Sequence, residues 1–299
     1  MLSKKEAISF LTEILQLNNV NELLDSSNNF DIINTIMRSY REKEPFQNIT
    51  LLATDPADRH RPTWTEIKQD MFLRKGGLCY SHHIFLYALL KALNFDVSMA
   101  RSSVWPLHSN NHLVIFVKNV EQNGDLFLLE AACANPTFKI ISLDFEEESP
   151  VFFESFLEYK FVKRDGHVLR MHRKGDIRPP SDKDPGVFEG EWRRFYDLDL
   201  QEVESVHDFD VVFEDVYTNP ELTPFHRSLL FVLFKDQKTQ ILANNKSLIE
   251  NNQHQLETNQ FKSDEELLKC LNSLTEAFDV SSVRKALDNW RKTKAIITK

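Results

Sequence analysis

The spacing of the apolar residues changes near residue 95. Before it, segments such as NNFDIINTIMRSYREK and WTEIKQDMFL repeat apolar residues every three or four positions, which predicts amphipathic helices. After it, the repeat moves toward two in HLVIFVKN, DLFLLEAA and RRFYDLDL, which predicts strands. Ser3 with Glu6, and Ser263 with Glu266, have capping-box spacing and predict helix starts near the two ends of the chain. The fold class is therefore predicted to be α+β.

This change of period divides the chain into three predicted parts: a helical part over 1–95, a β-rich part over 96–210 and a mixed α/β part over 211–299. The segment 174–192 concentrates proline, glycine and charge, so it predicts a long exposed connection. The Asn- and Gln-rich segment 251–260, NNQHQLETNQ, predicts a solvated loop.

Charge and cysteine count exclude several classes of protein. With 36 basic and 45 acidic residues the net charge is -9, and no basic cluster offers a track for phosphates, so a nucleic-acid partner is not expected. The N-terminus lacks the apolar core of a signal peptide and no apolar run approaches about eighteen residues, which predicts a cytoplasmic protein without a membrane partner. Cys79, Cys133 and Cys270 have no paired count and no CxxC spacing, which argues against a disulfide framework and a zinc cage; no metal is expected.

Cys79 follows a glycine pair in a chain that holds only seven glycines. Gly76 and Gly77 permit a tight bend with positive φ, and the apolar residues after Tyr80 recur at helical spacing. Cys79 is therefore predicted in the first turn of a helix, where free amides and the helix dipole stabilise a thiolate. A buried cysteine is more often a small apolar filler, so a nucleophilic role requires a base and an orienting group.

His112 and Glu130 are the candidates for those two roles. His112 opens the apolar strand HLVIFV, and Glu130 ends DLFLLE in an apolar frame where a carboxylate needs a partner. A two-residue turn at Asn123-Gly124 would put the two side chains on opposite faces, whereas a five-residue loop over 120–124 pairs Glu130 with Val114 and gives a shared face. We predict the second register, with Asn135 as the alternative orienting group.

The segments PFQNI, KGGLC, HLVIFV and LFLLEA occur in an order that resembles the arylamine N-acetyltransferases, whose patterns read PFENL, RGGxC, HLxLxV and a strand ending in Asp. FYDLDL, DFDVVFEDVYTNP and SDEELLKCLNSL extend the resemblance over nearly the whole chain. The resemblance implies a cysteine-proteinase-like arrangement of helical bundle, β-barrel and α/β lid. It also implies acetyl-coenzyme A as co-substrate and an aromatic amine or hydrazine as acceptor. We expect a monomer, although the sequence does not determine the oligomeric state.

The resemblance assigns roles to individual residues. It makes Cys79 the acetyl carrier, His112 the base, and Glu130 the replacement for the usual Asp. It places Phe46, Val104 and Cys133 in the acceptor pocket, and His108, Ser109, Tyr217 and Thr223 near coenzyme A.

Four positions depart from the family pattern: Lys75 stands for Arg, His83 for Asn, Glu130 for Asp, and Cys133 lies in a segment ACA that replaces a Gly-Phe-Gly-like one. Lysine lacks the bidentate fork of arginine, and glutamate is one methylene longer than aspartate. These changes predict an altered acceptor pocket. They also leave open a family member with weakened catalysis and a binding role. A second alternative is a cysteine hydrolase or transglutaminase-like enzyme, since Cys, His and carboxylate in this chain order also serve peptide and amide chemistry.

Overall fold

A computed structural model of the chain describes residues 1–26, 28–104, 109–178, 188–203 and 205–297, with 294–297 described by their backbone alone. The helices are α1 (Lys4–Ser9), α2 (Val20–Leu24), α3 (Asn29–Lys43), α4 (Ile49–Ala53), α5 (Trp64–Phe72), α6 (Cys79–Ala92), α7 (Asp210–Thr218), α8 (Asp264–Leu274) and α9 (Val280–Ile297). The strands are β1 (Phe46–Gln47), β2 (Asp96–Ser103), β3 (His112–Lys118), β4 (Leu126–Leu129), β5 (Ile141–Ser142), β6 (Phe152–Glu154), β7 (Leu157–Arg164), β8 (His167–His172), β9 (Phe188–Glu189), β10 (Trp192–Val203), β11 (Leu230–Lys235), β12 (Lys238–Ala243), β13 (Lys246–Glu250) and β14 (Leu256–Gln260). The α+β class is confirmed.

The helix starts follow the predicted caps. The Ser3 hydroxyl accepts the Glu6 amide and the Glu6 carboxylate accepts the Ser3 amide, which forms a complete capping box before α1. At α8, the Ser263 hydroxyl accepts the Glu266 amide. Both capping predictions are therefore confirmed.

The chain forms two compact units. The first contains Met1–Tyr40 and His83–Asp208, and the second contains Arg41–His82 and Phe209–Lys299. The chain passes from one unit to the other three times: within α3, within α6, and between Asp208 and Phe209. The three-part division at residues 95 and 210 stays a prediction.

The first unit is built on a curled antiparallel sheet. Among the described residues this sheet has nine strands in the order β5-β4-β3-β2-β10-β8-β7-β6, with β9 beside β10. β3 lies between β2 and β4, and six of its seven residues are buried, so its side chains are covered on both faces. Next to the sheet, Phe10 and Phe85 join two helical segments through ring centroids 4.6 Å apart. The site residues of this unit project from β3 and from the end of β4.

The second unit contains an antiparallel sheet with the order β1-β11-β12-β13-β14. Its core is an apolar cluster that joins α4, the sheet, α8 and α9, with Leu52, Phe231, Leu271 and Leu287 at its centre. The short strand β1 was not predicted, because two residues are too few to show an alternation of apolar and polar side chains. It forms by pairing Phe46 with Val232 of β11.

The solvated loop predicted for 251–260 is wrong for its second half. Leu256–Gln260 forms β14, which pairs with β13 from Glu250↔Leu256 to Lys246↔Gln260. Four of its five side chains are exposed, so the polar composition is that of an edge strand whose backbone is paired on one side. Amino-acid composition alone does not distinguish an exposed edge strand from a loop.

Candidate active site

The glycine pair lets the loop before α6 approach β1 closely. Gly76 has φ +62°, and a Cβ there would lie 1.9 Å from the Pro45 carbonyl oxygen. The Gly77 amide donates to that same oxygen at 3.2 Å, and a Cβ on Gly77 would lie 2.9 Å from the Ser81 Cβ. The predicted bend is confirmed at Gly76, while Gly77 is required for close packing. Together they set where α6 begins, at Cys79.

Cys79 occupies the first position of α6, as predicted, and its side chain is buried with 5% of the residue exposed. One turn later the same helix carries His83, and residues four apart share a helix face. In the unit that holds Cys79, the Tyr217 hydroxyl lies 3.3 Å from the Ser81 hydroxyl. Burial raises the pKa of Tyr217, and the nearby Cys79 raises it further, so this phenol stays neutral.

His112 and Glu130 meet in the first unit. β3 and β4 pair Ile115 with Leu129, a register that carries Glu130, the next residue, opposite Val114. The predicted register is confirmed and the two-residue turn is excluded. The His112 Nε2 atom donates to Glu130 Oε2 at 2.7 Å, both residues are buried, and Glu130, not the alternative Asn135, is the partner of this nitrogen.

The charge of Glu130 follows from its neighbours. Burial by itself would raise the pKa of this carboxyl, but the imidazoles of His112 and His83, the hydrogen bond from His112 and the Ala132 amide lower it to about 2. The Ala132 amide donates to Oε1 at 2.9 Å, and His83 Nε2 lies 3.4 Å from the same oxygen. Because an ionised carboxylate only accepts hydrogen bonds, the proton of this pair resides on His112 Nε2. A neutral His112 then offers Nδ1 as its acceptor nitrogen.

Arg170 is a site residue that the sequence analysis missed. Its guanidinium is fully buried on β8, donates to Thr137 Oγ1 at 2.7 Å, to the Pro136 carbonyl at 2.9 Å and to His172 Nε2 at 2.9 Å, and lies 4.3 Å from the centre of the Tyr159 ring. Burial alone would lower its pKa, but neighbouring groups including Glu130 raise it. Period-two alternation in HVLRMH already puts this arginine on the face of Val168, and that signal could have found it.

In the second unit, three further predicted residues are buried. Phe46 lies in β1, and its ring stacks on His82 with centroids 6.2 Å apart. Tyr217 is bound to Ser81, and the Thr223 hydroxyl donates to the Val216 carbonyl at 3.5 Å. The two hydroxyls predicted near coenzyme A are thus hydrogen-bonded within this unit.

In the first unit, Cys133 is buried, and its sulfur lies 3.4 Å from the Asn135 carbonyl oxygen and 3.9 Å from an Arg170 nitrogen. The Val104 amide donates to Asn111 Oδ1 at 3.0 Å, and the Ser109 hydroxyl is buried. His108 lies outside the described residues, as does 179–187 within the predicted exposed connection.

A cysteine at a helix N-terminus and a buried pair of histidine and ionised carboxylate are the groups that cysteine-dependent acyl-transfer enzymes use. The sequence profile of the N-acetyltransferase family matches residues 29–285. The chain belongs to this family, the arylamine N-acetyltransferases. No curated protein matches it significantly.

Solved arylamine N-acetyltransferases share the fold at low sequence identity. The enzyme of Mycobacterium marinum is 14% identical with a TM-score of 0.73, over 94% of this chain and 98% of that one. The enzyme of Salmonella typhimurium is 15% identical with a TM-score of 0.72, over 96% and 99%. The enzyme of Bacillus cereus is 17% identical with a TM-score of 0.67, over 91% and 98%, and is described as having a Cys-His-Glu catalytic triad. The Mycobacterium marinum enzyme has also been solved in complex with coenzyme A.

Within the described ranges, no helix has the length and apolar character needed to cross a membrane.

Proposed function

We propose that this chain transfers an acetyl group from acetyl-coenzyme A to an arylamine or hydrazine through an acetyl-Cys79 intermediate. The observation that carries the proposal is the buried 2.7 Å hydrogen bond from His112 Nε2 to the ionised Glu130, in a chain that begins a helix at Cys79. Family membership and the Cys-His-Glu triad described for the Bacillus cereus enzyme support it.

In the first half-reaction, His112 Nδ1 accepts the Cys79 thiol proton and the thiolate attacks the acetyl carbonyl carbon. The new sulfur–carbon bond forms as the carbon–sulfur bond to coenzyme A breaks. The coenzyme A thiolate leaves and takes the proton from the His112 imidazolium. Glu130 stabilises that imidazolium and holds the ring in one tautomer.

In the second half-reaction, the acceptor nitrogen attacks the acetyl-cysteine carbonyl carbon. A carbon–nitrogen bond forms, the bond to the Cys79 sulfur breaks, and His112 accepts the proton that the amine loses. Because a thioester is exchanged for a thioester before the amide forms, the acyl group stays activated until the acceptor arrives.

The remaining predicted residues have proposed roles in binding. We assign Phe46, Val104 and Cys133 to the acceptor pocket, and His108, Ser109, Tyr217 and Thr223 to the coenzyme A side. The complex of the Mycobacterium marinum enzyme with coenzyme A supports a coenzyme A thioester as donor.

The test is the mass of the Cys79 peptide after the protein is mixed with acetyl-coenzyme A in the absence of an acceptor. We expect one acetyl group on Cys79, removed when an arylamine or hydrazine is added. The Cys133 and Cys270 peptides are internal controls. A Cys79 peptide that stays unmodified, or a Cys79→Ala variant with near-normal turnover, would overturn the proposal; loss of the acetyl group to water alone would indicate a hydrolase.

A further inference from the structure

A second imidazole lies against the catalytic pair. Three residues each offer one potential metal-ligand atom: His83 on α6, His112 at the start of β3 and Glu130 after β4. These atoms all lie within 4.8 Å of one another. The three residues are almost completely buried, with exposures of 0%, 2% and 0%. Of these three residues, the proposed acyl transfer uses His112 and Glu130 but not His83. It therefore does not explain the buried imidazole of His83.

Two imidazole nitrogens and one carboxylate oxygen are a ligand set that binds Zn²⁺ and leaves a fourth position open. With Zn²⁺ bonds of about 2.0 to 2.2 Å, tetrahedral ligand atoms are separated by roughly 3.3 Å. His83 Nε2 and Glu130 Oε1 are 3.4 Å apart, which is close to this separation. The three ligand atoms together lie within 4.8 Å of one another, so the side chains would draw closer around an ion. His112 Nε2 and Glu130 Oε2 are 2.7 Å apart because a proton lies between them, and an ion would replace that proton.

The groups around the ligands partly favour and partly oppose a cation. The Ala132 amide donates to Glu130 Oε1 at 2.9 Å and fixes the carboxylate, which is the kind of second contact that orients a metal ligand. Glu130 supplies one negative charge. The buried Arg170 guanidinium interacts electrostatically with Glu130 and opposes a divalent ion. This balance fits reversible binding better than a permanent structural site.

We propose that a divalent transition-metal ion of the Zn²⁺ class binds His83, His112 and Glu130 and reversibly inhibits acyl transfer by occupying the base. Binding of Nε2 to the ion moves the single ring proton of neutral His112 to Nδ1, so Nδ1 can no longer accept the Cys79 thiol proton. Both triad partners, His112 and Glu130, are then held by the ion. The inhibition rests on the proposed function, whereas the metal binding does not. His83 stands where the family pattern described above has Asn.

The binding test uses Co²⁺ as a spectroscopic probe, because its visible absorption reports low-symmetry coordination. We expect one Co²⁺ per chain, released by Zn²⁺ and by a chelator. His83→Asn should weaken Co²⁺ binding by about a hundredfold, since loss of a ligand costs at least as much as loss of its orienting partner. The matched control is His60→Asn, which removes an exposed histidine paired with Glu66 at 3.0 Å and should bind Co²⁺ like the wild type.

X-ray absorption spectroscopy at the zinc K-edge of the zinc-loaded wild-type protein tests the ligand set without a variant. Two imidazoles and one carboxylate are expected around the ion. A site without imidazole ligands, the absence of stoichiometric binding, or a His83→Asn protein that binds as tightly as the wild type would each overturn the proposal.

A Cys79→Ser variant separates the two proposals. It should lose acetylation while it keeps Co²⁺ binding, because the three ligands are outside the substituted position. Zn²⁺ should also slow acetylation of Cys79 in the wild type in proportion to occupancy. If Zn²⁺ binds to the three residues and acetylation continues at the same rate, the inhibitory role is wrong; if acetylation never occurs, only the acyl transfer fails.

Discussion

His112 donates a 2.7 Å hydrogen bond through Nε2 to Glu130, eighteen residues further along the chain. Glu130 lies one residue beyond the last paired residue of β4. Its second oxygen then reaches the Ala132 amide. The carboxylate is therefore fixed at both oxygens, which is what an orienting group requires.

Removing the charge of Glu130 should remove most of the activity. Glu130→Gln keeps the volume but offers His112 an amide in place of an ionised carboxylate, so the imidazolium loses its stabilisation. We expect kcat/KM for acetyl transfer to fall by about a hundredfold to ten-thousandfold, in line with the loss of a triad orienting group. Steady-state rates with acetyl-coenzyme A and an arylamine measure this.

The control for this substitution is Glu148→Gln, which removes a partly exposed carboxylate paired with Lys160 at 2.6 Å on the same sheet. Its activity should equal that of the wild type. A Glu130→Gln enzyme within a factor of about three of the wild type would show that Glu130 does not act on the reaction.

Period and register together were enough to predict the His112–Glu130 pair. Alternation along β3 and β4 defines the two faces of the sheet. Only one of the two loop lengths considered between these strands puts His112 and Glu130 on the same face, so a short-range pattern was enough to predict their contact. Arg170 shows the limit: alternation places it inward, but its partners Thr137 and Pro136 lie more than thirty residues away on irregular backbone. No local period reports such a partner, so alternation could place the arginine on the buried face but could not identify the groups it binds.

The glycine pair shows a second limit. Sequence predicted a bend at Gly76, and its φ of +62° confirms it. The stronger reason for a glycine, the approach of the Pro45 carbonyl, depends on a contact made across thirty residues and on the unpredicted strand β1. The bend could be predicted from the local sequence, whereas the Pro45 contact depends on the tertiary fold.

Gly76→Ala should destabilise the fold much more than a glycine substitution in an open turn. The added Cβ would lie 1.9 Å from the Pro45 carbonyl oxygen, and the residue would keep a positive φ. We expect a loss of about 3 kcal/mol or more in the free energy of unfolding, from backbone strain plus the clash. Urea denaturation followed by circular dichroism measures it.

Gly124→Ala is the matched control, since Gly124 has φ +87° and nothing lies within 4 Å of its Cβ position. It keeps the cost of positive φ, about 1 kcal/mol, without the clash. If the two variants lose the same free energy of unfolding, the clash with the Pro45 carbonyl does not contribute to the destabilisation.

Arg170→Met should destabilise the first unit. The substitution deletes the donors to Thr137 Oγ1, Pro136 and His172 while those acceptors stay buried, and we expect a cost of about 3 to 5 kcal/mol for breaking such a buried network. Urea denaturation measures the change. Arg173→Met, which removes a partly exposed arginine paired with Glu158, is the control and should have a much smaller effect. A similar loss for both would contradict the role assigned to Arg170.

Glu44 should make stability depend on pH in the second unit. Burial raises the pKa of this carboxyl well above its ordinary value of 4.5, more than the Gly76 amide and Arg74 lower it, and Asp70 raises it further. Between 4.5 and its folded-state pKa, the folded chain binds more protons than the unfolded chain, so the stability that Glu44 contributes is present at acid pH and is lost as the pH rises.

Glu44→Gln keeps a neutral group of the same shape at every pH. It should match the wild type below pH 4.5 and become more stable than the wild type as the pH rises toward neutrality. Urea denaturation at a series of pH values measures the difference. A constant difference between Glu44→Gln and the wild type would mean that Glu44 titrates alike in the folded and unfolded chains, because only unequal pKa values give stability a pH dependence.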